Sequence, residues 1–161
     1  TRDVLLLAFS TSSSAAIMPL SIRTAEDKLG VRPSVSQFVI PLGATINMNG
    51  TALYQAVATI FLAQVYGIDL SMGSMALVVA MAVGASIGSP ATPGVGIVIL
   101  AMVLQTVGIP PSGIALIMGV DRILDMCRTA INVTGDLVTC RLMENLAGKR
   151  LPPDPVPEET S

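Results

Sequence analysis

Histidine is absent from this 161-residue chain, which removes imidazole acid–base catalysis and histidine-ligated metals from consideration. Charge is scarce too. Asp, Glu, Lys and Arg make up 12% of the residues, against about 25% in soluble domains. With a net charge of −2 and no basic patch, nothing favours nucleic acid as a partner. The two cysteines, Cys127 and Cys140, form no CxxC or other metal-ligand spacing and read as packing residues. No signal-like segment opens the chain. It begins mid-pattern with TRDVLLLAFS and reads as the C-terminal portion of a longer protein.

What is abundant is apolar: 52% of the residues are hydrophobic and the mean hydropathy is +0.72. That is the composition of a membrane protein. Inside this apolar background lies DRILDMCRTAINVTGD, residues 121–136. Asp121, Asp125, Arg128, Asn132 and Asp136 fall at offsets 0, 4, 7, 11 and 15, which on a helix places them within a stripe roughly 80° wide. Thr129 borders it. Ile123, Leu124, Ile131, Val133, Leu137 and Val138 occupy the other faces. A charge at the bilayer centre costs on the order of 2.5–3.5 kcal/mol or more, so the stripe must face protein, water or ions.

The remaining segments are interrupted. Val4 to Phe9 is too short to cross about 30 Å of hydrocarbon and runs into TSSSAA. A second short piece contains Pro19 and ends in the charged run RTAEDKLGVR. Together, residues 1–34 read as a re-entrant hairpin with a serine tip and a polar loop. Residues 35–66 form a span broken near its middle by NMNG at 47–50, the pattern by which transporters expose backbone carbonyls to ions. Residues 74–107 read as a second re-entrant hairpin, because GSPATPGVG at 88–96 cannot continue a helix. A phosphate-cradling loop there lacks GK[ST] and any nearby lysine. Residues 112–147 carry the charged stripe, and 148–161 read as a disordered tail.

Arg2, Arg23, Lys28, Arg32, Arg141, Lys149 and Arg150 flank segment ends on one side, while the connections at 66–74 and 107–113 hold no Lys or Arg. The positive-inside rule makes the first side, with the C-terminus, cytoplasmic. The hairpins then enter from opposite faces and converge on the broken and charged helices. The expected fold is an all-α integral membrane unit with a substrate site at the bilayer midplane.

SSS at 12–14, NMNGT at 47–51, SIGSPATPGVG at 86–96 and DRILDMCRTAINVTGD at 121–136 resemble, in order and spacing, the signature segments of the glutamate/aspartate transporter family, the dicarboxylate/amino acid:cation symporters. The resemblance covers about residues 1–147. It implies the mobile transport domain of an elevator-type carrier, with its first hairpin, broken seventh helix, second hairpin and eighth helix. It further implies a homotrimeric parent in the plasma membrane, or the inner membrane of a bacterium, and no enzymatic activity.

The resemblance also implies roles. Asp125 would hold the substrate ammonium and Arg128 its side-chain carboxylate, through a planar fork matched to two oxygens. Thr129 and Asn132 would add hydrogen bonds. Ser12, Ser13, Ser14 and Thr51 would close the pocket from below, and Thr92, Pro93, Gly94, Val95 and Gly96 would gate it from outside. One sodium ion would take carbonyls of Gly43, Asn47 and Asn132 with the Asp136 carboxylate. Another would take carbonyls of Thr45, Ser86, Ile87 and Ser89, with the Met48 thioether close by. No organic cofactor is implied. The charges of Asp121, Arg122, Asp125, Arg128 and Asp136 sum to −1, so bound cations would lower the cost of carrying an anionic substrate across the bilayer.

Three departures from the family pattern stand out. Asn49 takes the place of an aspartate associated with an additional sodium site, so that site is expected to be weak or absent. Pro90 and Thr92 stand where better-known members have small or aliphatic residues. Ser12 stands where some prokaryotic members have arginine. Retention of both Asp125 and Arg128 favours L-aspartate or L-glutamate over dicarboxylates without an amino group. The competing expectations are a proton-coupled C4-dicarboxylate carrier and a structural membrane unit that does not transport. An aspartyl protease needs catalytic aspartates on two helices, and a hydrolase at Ser12–Ser14 has no base to activate it.

Overall fold

A computed structural model describes residues 1–87 and 95–147, and every described element is helical. In chain order these are α1 (Arg2–Thr11), α2 (Ser14–Leu29), α3 (Pro33–Ile46), α4 (Asn49–Val65), α5 (Met72–Ser86), α6 (Val95–Thr106), a 3₁₀ turn at Pro111–Ile114, and α7 (Ala115–Ala147). The tip residues 88–94 and the tail 148–161, including the expected gate and sodium residues Ser89, Thr92, Pro93 and Gly94, lie outside the described residues.

Local chemistry explains the breaks. Ser12 adopts a left-handed conformation with φ 53° and ends α1, while extended Ser13 opens α2, its Oγ accepting from the Ala16 N–H at 3.3 Å. Such a positive φ is costly for a residue with a side chain. Gly30 ends α2 in the same region at φ 63°, where it is cheap, and Pro33 starts α3 with a preset φ. Asn47 and Met48 leave helical geometry between α3 and α4. That interruption is narrower than NMNG, since Asn49 and Gly50 already belong to α4. The charged run RTAEDKLGVR also behaves differently from a loop: α2 continues through it to Leu29.

Two apolar cores form at opposite ends of α7. Val4, Ala8, Ile17, Ala25, Val35, Val39 and Ile40 from α1, α2 and α3 close on Val133, Leu137 and Cys140. Tyr54, Ala58, Leu62, Leu100, Leu104 and Ile109 close on Ile114 and Ile117. Between the two cores α7 buries Asp125, Arg128, Thr129 and Asn132, and Asp136 follows within the first. The α5–α6 pair packs through Val78, Ile99 and Val103.

The outside is apolar as well. Phe38, Leu53, Val57, Met72, Val98, Leu116, Ile123 and Val138 are each more than half exposed, a surface suited to lipid or further helices rather than water. No helix among the described residues is long and apolar enough to cross a membrane. The two halves of the broken span are short, at 14 and 17 residues, and 33-residue α7 carries the charged stripe.

Candidate functional site

The polar belt of α7 meets the ends of the broken helices, so charged side chains stand beside backbone that helices cannot satisfy. Asp125 and Arg128 form a buried ion pair, each with a side chain 6% exposed. The Arg128 guanidinium lies 5.7 Å from the centroid of the Tyr54 ring, a cation–π arrangement. The Tyr54 hydroxyl in turn donates to Asp121 Oδ1 at 2.9 Å. Gly96, at the start of α6, packs against the guanidinium so closely that a Cβ there would lie 1.7 Å from Arg128 Nη1. Gln55 Nε2 donates to the Gly96 carbonyl at 2.9 Å, which ties the start of α6 beside Arg128.

One turn further along α7, Asn132 gathers the start of α4. Its Oδ1 accepts from the Gly50 N–H at 2.7 Å, and its Nδ2 reaches Thr51 Oγ1 at 3.3 Å and Met48 Sδ at 3.4 Å. Asp136, 2% exposed, accepts from Asn47 Nδ2 at 2.9 Å and touches the Gly43 backbone, where a Cβ would fall 2.5 Å from Oδ1. Thr129 Oγ1 bonds back to the Asp125 carbonyl at 3.0 Å.

Of the residues expected from the sequence, the structure therefore gathers Gly43, Asn47, Met48, Thr51, Gly96, Asp125, Arg128, Thr129, Asn132 and Asp136 along one face of α7. Ser12 and Ser14 are buried at the α1–α2 break, and the Ser12 hydroxyl has no hydrogen-bond partner among the described residues. A buried hydroxyl without a partner is unusual. Thr45 and Ser86 spend their hydroxyls on their own helices, at the Leu42 and Val83 carbonyls. Their usable donors are then backbone carbonyls in the last turns of α3 and α5. Such carbonyls lack intrahelical partners and sit at the negative end of the helix dipole, where a hard cation is favoured. Ile87 is 55% exposed and caps α5. Val95 opens α6, half-buried.

Two contributors were missed in the sequence, Tyr54 and Gln55. Both lie within the apolar arm TALYQAV, one turn after Thr51, and that spacing of polar groups at three and four residues was their only signal. Replacing Tyr54 with Phe keeps the ring over Arg128 and removes the donor to Asp121. Because hydrogen bonds to charged acceptors contribute about 1.5–3 kcal/mol, Tyr54→Phe is expected to lower the thermal unfolding midpoint by several degrees, and an unchanged midpoint would contradict the contact.

A cavity of about 400 Å³ opens between α4 and α7, lined by Leu53, Val57, Phe61, Leu116, Val120 and Leu124 and reaching the belt at Gly50, Tyr54 and Arg128. Away from the belt its wall is apolar.

The sequence model of the sodium:dicarboxylate symporter family matches residues 1–146. The chain belongs to that family. Similar relatives include a putative sodium-dependent excitatory amino acid transporter, glt-4, of Caenorhabditis elegans, 50% identical over 92% of this chain and 30% of its own length. Excitatory amino acid transporter 3 of Mus musculus is 45% identical over 92% of this chain and 28% of its own length. The proton/sodium-glutamate symport protein of Bacillus subtilis (strain 168) is 44% identical over 91% and 34%. The chain thus spans about a third or less of the symporters it matches. Membership makes it part of a membrane transport family rather than an enzyme family, which accounts for the apolar exterior.

Proposed function

We propose that this chain is the transport unit of a longer sodium-coupled symporter that carries L-aspartate or L-glutamate. The observation that carries the reading is the buried Asp125–Arg128 pair, set beside the starts of α4 and α6. Alone, a buried ion pair is weak as a stabilising device. Here each member matches one charge of an acidic amino acid. Asp125 takes the ammonium and Arg128 the side-chain carboxylate, so substrate replaces an internal pair with two external ones. Thr129, Asn132 and Thr51 supply further hydrogen bonds, and Ser12, Ser13 and Ser14 form the opposing wall. Gly96, held by Gln55, packs against the Arg128 guanidinium, and the external gate is assigned to Thr92, Pro93, Gly94, Val95 and Gly96.

Sodium ions ride as co-substrates. One is held by Asp136 with carbonyls of Gly43, Asn47 and Asn132; the Asn47–Asp136 contact supports that grouping. A second takes helix-end carbonyls of Thr45, Ser86, Ile87 and Ser89 beside Met48. The two hairpins are re-entrant, the whole carrier is a homotrimer in the plasma membrane, and the C-terminus is cytoplasmic. The relatives, a putative sodium-dependent excitatory amino acid transporter and a proton/sodium-glutamate symport protein by name, support acidic amino acids over simple dicarboxylates.

Binding tests this reading. Purified full-length transporter is expected to be stabilised by L-aspartate in sodium chloride and not in choline chloride. Equal stabilisation in both salts would count against sodium coupling.

Asn49 gives a second expectation. Its amide lies near Gly135, where a Cβ would fall 2.8 Å from Asn49 Nδ2 and 2.9 Å from Asn47 Nδ2, so an aspartate at position 49 adds a carboxylate beside Asn47. Asn49→Asp is expected to raise the number of charges moved per substrate, read as the current-to-flux ratio in reconstituted vesicles. An unchanged ratio would mean that the amide was not what limited ion number.

A further inference from the structure

The two oxygens of Asp125 point to different cations. Arg128 takes Oδ1. Arg122 Nη1 lies 4.0 Å from Oδ2, with its own side chain 61% exposed. Asp121, the neighbouring carboxylate, already accepts from Tyr54, and adjacent residues on a helix do not face each other. Asp125, one turn on, is therefore the acid that Arg122 addresses. A single buried carboxylate thus has two guanidinium partners, one buried and one at the surface.

We propose that Arg122 sets how strictly the site demands an ammonium group on its substrate. The proposal rests on the acidic amino acid reading. Once a substrate carboxylate engages the Arg128 fork, Asp125 loses its buried partner. An amino acid replaces that partner with its ammonium. A dicarboxylate without an amino group brings nothing, and Asp125 faces a dianion with Arg122 as its counter-charge. Arg122 therefore lowers the penalty on deaminated substrates and dilutes what an ammonium contributes. Its removal sharpens preference for amino acids. Lysine keeps the charge and preserves the effect in part, though as a point charge without the planar fork.

The test compares inhibition constants of L-aspartate and succinate against radiolabelled L-aspartate uptake, using full-length transporter in proteoliposomes, for the unsubstituted protein, Arg122→Gln and Arg122→Lys. Arg122→Gln is expected to raise the succinate-to-aspartate ratio about three- to fivefold, the upper range for an ion pair with one exposed partner. Arg122→Lys is expected to hold the ratio within about twofold of the unsubstituted protein, since it retains the charge. A ratio unchanged by Gln, or moved equally by Gln and Lys, overturns the proposal; an equal shift would point to packing of the arginine stem. If the Gln variant does not reach the membrane, Arg122→Met provides the same loss of charge. Failure of the unsubstituted protein to take up L-aspartate would instead overturn the underlying reading, so the two failures are distinguishable.

Discussion

Arg128→Cys is expected to reduce L-aspartate uptake at least about a hundredfold, with residual uptake shifting toward neutral amino acids. Two effects act together. The substrate loses a bidentate, charge-assisted partner. Asp125, 5% exposed, loses its buried partner and keeps only the exposed Arg122, and breaking a buried pair from one side costs about 3–5 kcal/mol. The second effect is relieved when an ammonium binds Asp125, so substrates with an amino group and no second carboxylate benefit most. The first is not relieved by anything in the site. Uptake of L-aspartate and L-serine in the same vesicles reads both. Retention of aspartate transport within tenfold of the unsubstituted protein would remove Arg128 from substrate recognition.

Gly50→Ala is expected to be the most destabilising single methyl addition in the belt. A Cβ at Gly50 would lie 2.2 Å from the Arg128 carbonyl oxygen and 3.0 Å from Ile131 Cβ. The nearer obstacle is backbone within α7, which has no rotamer to yield. Relief requires α4 to move off α7, and that stretches the Gly50 N–H to Asn132 bond at 2.7 Å and opens the cluster at Met48 and Thr51. Overpacking alone costs about 1–3 kcal/mol, and a buried Asn132 left short of partners adds about 1–3 kcal/mol. Gly84→Ala offers the contrast, since nothing lies within 4 Å of its added Cβ. Thermal unfolding in detergent should place Gly50→Ala well below the unsubstituted protein and Gly84→Ala near it. Similar midpoints for the two variants would mean that α4 is not packed on α7 as described.

Much of this was legible in the chain itself, and the reasons are local. Serines at 12–14, the NMNG break and the charged stripe announce themselves because each violates the pattern of its surroundings: polar tip, helix interruption, charges in an apolar segment. The contacts between the break and the stripe follow from a shared need, since charges and free backbone groups in an apolar setting must satisfy one another. The extent of α2 was less legible. RTAEDKL reads as a polar loop, yet Ala, Glu and Lys are good helix formers, Ser36 donates to Glu26, and Gly30 is where the helix stops.

Tyr54 and Gln55 were hidden for a different reason. An amphipathic side chain inside an apolar arm looks like packing until its partner is known, and the partners, Asp121 and the Gly96 carbonyl, lie 67 and 41 residues away. The division into two cores at opposite ends of α7 was likewise invisible, because hydrophobic periodicity marks a buried face without naming what covers it. Arg32 gives a similar lesson on the polar side. Its backbone N–H and Nε both reach Glu144, at 3.2 and 3.1 Å, so α7 caps the start of α3 from across the fold.

The measurement that bears most directly on the account is L-aspartate uptake by the full-length transporter in proteoliposomes, under an inward sodium gradient and under an inward proton gradient with sodium absent. The account expects accumulation driven by sodium and abolished by Asp136→Asn, which removes the one carboxylate assigned to a sodium ion. Accumulation driven equally well by protons without sodium, and indifferent to Asp136→Asn, would contradict it.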